Sequence, residues 1–190
     1  MKTFHVGIIG ATGMVGQRFA ILLENHPWFQ VKVLAASGRS AGKTYKEAVG
    51  ERWSMPVPMP KSMENMVVYN ASEDVEKIAA EVDFVFCAVD MKKDEIKALE
   101  ERYAKAECPV VSNNSAHRGT KDVPMIVPEI NPEDHQSTAQ TFRNQTRFHR
   151  SEIQLLSPKL CSGTPSFDGI RCEKCACLHL SGNFRCRKNL

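Results

Sequence analysis

Seven residues near the start of the chain, Gly10-Ala11-Thr12-Gly13-Met14-Val15-Gly16, constrain its fold more than any other stretch. They follow the apolar run Val6-Gly7-Ile8-Ile9 and lead into Gln17-Arg18-Phe19-Ala20-Ile21-Leu22-Leu23. A short continuous apolar run reads as a strand buried on both faces, and the segment after the glycines has helical spacing. Strand, tight glycine turn and helix form the first unit of a dinucleotide-binding βαβ fold. Glycine suits the turn because it tolerates unusual φ values and lets backbone approach a pyrophosphate closely. The helix start then offers free N–H groups and the positive end of its dipole to that phosphate. The spacing is G-x-x-G-x-x-G rather than G-x-G-x-x-G, so a glycine turn without a ligand stays open as the plainer reading.

The rest of the first two-thirds repeats the alternation. The helix is predicted from about Met14 to Glu24, stopping at Asn25-His26-Pro27 because the residue before proline avoids the helical region. Strands are predicted at Val31–Ala36, Val67–Tyr69, Phe84–Val89 and Val110–Ser112, with a last extended piece at Pro124–Pro128. Helices are predicted at Asp74–Ala80, with Ser72 or Asp74 as cap, and at Lys92–Ala106 with a charged, solvent-facing surface. Arg52–Met63, broken by proline and methionine, reads as a surface excursion. The expected fold class is α/β, a Rossmann-like doubly wound parallel sheet over residues 1–133, with no internal repeat.

Ligands of such sheets sit beyond the carboxyl ends of the strands. Three loops leave such ends: Gly10–Gly16, Ser37–Lys43 and Asn113–Arg118. An enzyme using NAD usually carries Asp or Glu at the end of the second strand, to hold the ribose 2′-hydroxyl. This chain has Ser37, Gly38, Arg39 and Ser40 there, hydroxyls and a guanidinium suited to a 2′-phosphate, so NADP is the expected cofactor. A solvated basic loop is the alternative. In the third loop, Asn113, Asn114, Ser115, His117 and Arg118 could grip an acidic or phosphorylated substrate, or form an Asx-rich turn that satisfies its own backbone. His117 is expected to be exposed rather than catalytic. Cys87, mid-strand, is expected as a small buried hydrophobe, and Cys108 has no partner in view.

The turn G-A-T-G-M-V-G-Q, the loop A-A-S-G-R-S-A-G-K, the run F-C-A-V-D, then S-N-N-S-A-H-R and V-P-M-I-V-P-E-I-N-P-E together resemble aspartate-semialdehyde dehydrogenase. They are most similar to its archaeal and fungal branch, which also occurs in some bacteria. The resemblance spans Met1 to about Glu133. It implies NADPH-dependent reduction of L-aspartyl 4-phosphate to L-aspartate 4-semialdehyde, a step towards lysine, threonine and methionine. By position, Gly10, Thr12, Gly13, Met14 and Val15 would meet the cofactor pyrophosphate. Ser37, Arg39 and Ser40 would face its 2′-phosphate, and Asn114 and Arg118 would help hold the substrate phosphate. A related acyl reductase such as malonyl-CoA reductase is the runner-up. The resemblance also implies a homo-oligomer, a catalytic cysteine that forms a thioester and a histidine acid/base. None of these three is recognisable here, so catalytic residues are expected to be absent and the chain inactive.

Composition breaks near Asp134. Nine of the 25 basic and four of the 22 acidic side chains lie in residues 134–190, leaving that tail at +5 and the remainder at −2. Five of seven cysteines fall there, and no valine follows Val127. The overall +3 therefore averages two unlike segments and does not mark a nucleic-acid-binding protein. Cys172-x-x-Cys175-x-Cys177-x-His179 with Cys186 could be read as zinc ligands, or as the partner-binding tail of a non-catalytic module. With only one C-x-x-C pair, no metal is expected. The codon table offers another account. Shifted by one base, with synonymous codons chosen freely, the tail from Gln136 can spell K-A-Q-R-K-R-L-G-T-K-R-G-F-I-A-V-K-S-N-C-S-L-Q-S-Y-V-P-A-L. Such a peptide, asparagine-cysteine pair included, is what the resemblance leads one to expect after residue 133. Residues 134–190 are thus read as an out-of-frame tail, expected to be disordered or poorly packed. No membrane span and no signal peptide are in view, so a cytoplasmic protein is expected.

Overall fold

The computed structural model describes residues 3–120 and 123–127, together with the backbone of a short strand at 153–155. Alternating strands and helices run in the predicted order: β1 (Phe4–Ile9), α1 (Met14–Leu23), β2 (Phe29–Ala36), α2 (Tyr45–Val49), a 3-10 turn (Gly50–Arg52), β3 (Val68–Asn70), α3 (Val75–Glu81), β4 (Phe84–Cys87), α4 (Lys93–Lys105), β5 (Val110–Ser112), β6 (Met125–Ile126) and β7 (Ile153–Leu155). The strands form one sheet in the order β3-β2-β1-β4-β5-β7-β6. Every pairing in it is parallel.

Period-2 alternation assigns the two faces. Val6 and Ile8 of β1, Leu34 and Ala36 of β2 and Phe86 of β4 enter one apolar cluster with Phe19, Ala20 and Leu23 of α1 and Tyr45 and Val49 of α2. Ile9, Val33, Ala35, Val85 and Cys87 point the other way and join Val75 and Ile78 of α3 and Leu99 and Tyr103 of α4. Each face therefore has its own helical layer, which is the doubly wound arrangement. Complete burial of side chains such as Ile8 and Leu34 stabilises the sheet by about 1.5–3 kcal/mol each. The Phe19 and Phe86 rings stack with centroids 5.1 Å apart, fixing α1 over β4.

Two elements depart from expectation. Helix α2 lies where no element is predicted, although its sequence carries a capping box. The Thr44 hydroxyl accepts from the Glu47 N–H, and the Glu47 carboxylate accepts from the Thr44 N–H. The second departure is β7, inside the tail expected to be unpacked. It lies between β5 and β6, with Val111 opposite Ile153 and Ile126 opposite Leu155. A parallel sheet edge presents unpaired N–H and C=O groups that any short extended segment can satisfy. The remainder of the tail, with Cys161, Cys172, Cys175, Cys177 and Cys186, lies outside the described residues. Among the described residues no helix is long and apolar enough to cross a membrane.

Candidate functional site

The direction in which successive strands are added reverses between β1 and β4. The first crossovers build β2 and β3 on one side of β1, and the later ones build β4 and β5 on the other. Such a switch point opens a crevice at the carboxyl ends of the strands. The glycine turn lies in it. Gly10 has φ +87°, and a Cβ there would sit 2.5 Å from the Ala88 carbonyl oxygen, at the end of β4. A Cβ on Gly16 would sit 2.2 Å from the Gly10 carbonyl oxygen, so α1 could not close onto the turn with any larger residue. Gly13 differs. Its φ is −78°, and its hypothetical Cβ would meet only the Gly10 oxygen, at 3.4 Å. Nothing inside the protein demands glycine at 13, and the side it leaves bare is exposed. No side chain caps α1, and its first turn holds no acidic residue. The turn therefore offers an anion uncovered N–H groups and the positive end of a helix. Thr12 and Val15 are half-buried at its rim, and Met14 is exposed.

The second loop turns tightly, the Ser40 N–H donating to the Ser37 carbonyl at 2.9 Å. Beside it opens a pocket of about 420 Å³ walled by Ser37, Arg39, Ser40, Lys43, α2, Glu51 and Arg52. Arg39 and Lys43 are exposed, whereas Ser40 is buried. Glu47 also lines this pocket, but its hydrogen bonds with Thr44 hold its carboxyl below the ordinary glutamate value. Arg52 directs its guanidinium at the Ala48 carbonyl. The sequence reading singled out Ser37, Arg39 and Ser40 here and missed Lys43 and Arg52. Their signal, two further cations of the pocket wall within thirteen residues of Arg39, is diluted by the proline-rich run that follows.

The third loop lies beyond β4, tied to it by the Asn113 N–H donating to the Cys87 carbonyl at 3.3 Å. Its centre is a residue the sequence did not flag. Glu100 of α4 is fully buried, and its Oε1 accepts from the Ser112 hydroxyl at 2.5 Å and the Asn114 amide at 3.0 Å. The Asn114 amide also reaches Cys87 Sγ at 3.5 Å. His117 is buried rather than exposed: its Nε2 lies 4.0 Å from Glu100 Oε2, and its Nδ1 is 3.0 Å from Thr120 Oγ1. Glu100 lies on the face of α4 that buries Ile96, Leu99 and Tyr103, and a helix read as solvent-facing gave no sign of the carboxyl that stands beside the imidazole there. Arg118 is half-buried, one terminal nitrogen 3.4 Å from the Asn113 carbonyl. Its Nε and Asn113 Oδ1 have no hydrogen-bond partner among the described residues. Cys87 and Cys108 are buried, and burial pushes the Cys108 thiol up to about 12.

Residues 5–138 match the family described as "Semialdehyde dehydrogenase, NAD binding domain". The chain belongs to that family. Aspartate-semialdehyde dehydrogenase of Saccharomyces cerevisiae is 44% identical over 134 residues, covering 70% of this chain and 35% of that protein. A malonyl CoA reductase (NADP) of Metallosphaera sedula is less similar, at 37% over 131 residues, covering 69% and 34%. Among solved structures, aspartate semialdehyde dehydrogenase with NADP from Candida albicans superposes with a TM-score of 0.70 at 34% identity, covering 82% of this chain and 43% of that one. The chain thus spans about a third of the length of the curated relatives it matches. The expected family and the doubly wound fold are both borne out. The semialdehyde dehydrogenase match ends at residue 138, close to the break in composition at Asp134.

Proposed function

We propose that this chain is the cofactor-holding part of an NADP-dependent aspartate-semialdehyde dehydrogenase, the enzyme that reductively dephosphorylates L-aspartyl 4-phosphate to L-aspartate 4-semialdehyde. The observation that carries the reading is the bare surface at Gly13, where the fold itself needs no glycine, beside a pocket walled by Arg39 and Lys43. Gly10 shapes the turn, and the backbone of Thr12, Gly13, Met14 and Val15 holds the pyrophosphate against the start of α1. Arg39, with Ser37, Ser40 and Lys43, takes the 2′-phosphate, for which a guanidinium fork and hydroxyls are matched and a carboxylate would not be. NADPH supplies hydride when bound.

The third loop holds the substrate phosphate. Arg118 is the cation there, its Nε without a hydrogen-bond partner among the described residues. Asn114 has another role, since its amide hydrogens are spent on Glu100 and Cys87 and it anchors the loop from which Arg118 projects. The family's thioester-forming cysteine and acid/base histidine are not supplied by this chain. Residues 134–190 are translated out of frame, and the partner of the site is a small molecule rather than nucleic acid or a membrane. Its compartment is the cytoplasm. The weaker match to malonyl CoA reductase favours aspartyl phosphate over a coenzyme A thioester as substrate.

The coding DNA and one repaired gene test this reading together. The +1 frame across residues 136–165 should encode the peptide written above. A gene carrying that frame should yield phosphate-dependent reduction of NADP+ by aspartate semialdehyde, while the present chain yields none. Turnover by the present chain, or a +1 frame encoding something else, would contradict the out-of-frame account. Reduction of malonyl-CoA by the repaired enzyme would favour the other substrate.

A further inference from the structure

Two buried side chains hold the glycine turn from behind, each by a carbonyl. Tyr45, the fully buried first residue of α2, donates its hydroxyl to the Ala11 carbonyl at 2.8 Å. Burial raises its phenol well above the usual value, so the group stays a donor throughout the working pH range. Gln17, on the first turns of α1 and 1% exposed, donates Nε2 to the Thr12 carbonyl at 3.1 Å and to the Arg52 carbonyl at 3.0 Å. Its Oε1 accepts from the Ser54 N–H at 2.9 Å and the Ser54 hydroxyl at 3.1 Å. Both amide hydrogens and both acceptor positions are therefore in use, which fixes the orientation of the amide.

These contacts decide where the turn points its donors. In a trans peptide the C=O and the N–H lie on opposite sides. With the Ala11 carbonyl drawn inward by Tyr45, the N–H of Thr12 in the same peptide unit is turned outward. That N–H has no hydrogen-bond partner among the described residues. In the next unit, Gln17 holds the Thr12 carbonyl while the Gly13 N–H closes the turn on the Gly10 carbonyl at 3.1 Å. Without these tethers the peptide between Ala11 and Thr12 could rotate and present a carbonyl oxygen to an anion.

We propose that Tyr45 and Gln17 are positioning residues for the cofactor pyrophosphate: they lock two peptide planes of the turn so that the Thr12 N–H faces the ligand. The proposal rests on the reading of the turn as a pyrophosphate site. The same two side chains tie the turn to the wall of the 2′-phosphate pocket, because Tyr45 belongs to α2 and Gln17 grips the backbone of Arg52. The two phosphate subsites share one support, but only the pyrophosphate subsite depends on where Tyr45 and Gln17 send their hydrogens.

The test compares two ligands on the full chain. NADP+ engages both subsites, whereas 2′-AMP carries the 2′-phosphate and no pyrophosphate. Tyr45→Phe removes one hydroxyl and keeps the ring that packs in the core. It should weaken NADP+ about tenfold, the loss of one hydrogen bond to a charged ligand. Affinity for 2′-AMP should change less than about twofold in the same variant. Gln17→Met, close in volume, should give the same split and serves if Tyr45→Phe fails to fold. An unchanged NADP+ affinity in a folded variant overturns the proposal alone. Equal weakening of both ligands overturns it too, because that marks general destabilisation. A parent chain that binds neither ligand overturns the reading of the site and the proposal with it.

Discussion

The carbonyl oxygen of Gly10 lies where a Cβ on Gly16 would come within 2.2 Å, so the packing of α1 against the turn fixes the last glycine, while a φ of +87° and the Ala88 carbonyl fix the first. The middle glycine is not fixed in this way. Gly16→Ala should therefore cost about 1–3 kcal/mol or more of stability, as an overpacked site does, and be visible as a lowered thermal midpoint. Gly13→Ala should fold like the parent yet lose affinity for dinucleotides, because its methyl group would stand on the ligand side. A Gly13→Ala chain that melted early and bound normally would reverse this assignment.

Arg39, Lys43 and Arg52 are exposed cations of the pocket beside α2, and Arg52 already points its guanidinium at the Ala48 carbonyl. Truncating Arg39 to alanine should lower NADP+ affinity about tenfold or more, the value of a hydrogen-bonded guanidinium–phosphate pair. NAD+ affinity should hardly move, since NAD+ has nothing for that side chain to grip. Calorimetric titration of both cofactors reads the ratio directly. Equal losses for the two would place Arg39 elsewhere.

Glu100 is an acceptor for one buried donor, Ser112, and one half-buried donor, Asn114. Replacing it with alanine should leave the buried Ser112 hydroxyl unsatisfied and cost about 1–3 kcal/mol, measured as a shift in the urea midpoint. Glu100→Gln keeps the carbonyl acceptor and should cost less. If Glu100→Ala unfolded at the parent's midpoint, the buried network would be decorative.

Cys108 is held as a thiol by burial, its value pushed up to about 12. At pH 8 only about one part in ten thousand would be thiolate, so alkylation of the native protein should be very slow. The sign is fixed by the raised value: reactivity rises as pH climbs towards 12, or at once when the chain unfolds. Mass spectrometry after iodoacetamide treatment, native and in urea, checks both arms. Rapid native labelling at Cys108 would show that its pocket opens.

Much of this fold could be read from residues because its signals are local. The apolar runs at Val6–Ile9 and Phe84–Cys87, the glycine turn and Asn25-His26-Pro27 each act within a few positions, and β1, β4 and the end of α1 follow them. Asn25 even takes the left-handed conformation that ends the helix, at φ 56°. What stayed hidden depends on contacts far apart in sequence. Glu100 looks like any charge on a solvated helix until Ser112 and Asn114 turn towards it. Gln17 looks like a surface glutamine until the backbone of Arg52 and Ser54 arrives. His117 was misread for the same reason. The capping box at Thr44–Glu47 is the exception, a local signal that was present and overlooked. The strand at Ile153–Leu155 completes a sheet edge whose demand for a partner cannot be seen from that segment.

The central claim is that this chain keeps an NADP site built from the turn at Gly10–Gly16 and the pocket at Ser37–Lys43. Titration of the purified chain with NADP+ and NAD+ side by side tests it most directly. Saturable binding of NADP+ is expected, at least about tenfold tighter than that of NAD+. Binding of neither, or of NAD+ as tightly as NADP+, would contradict it.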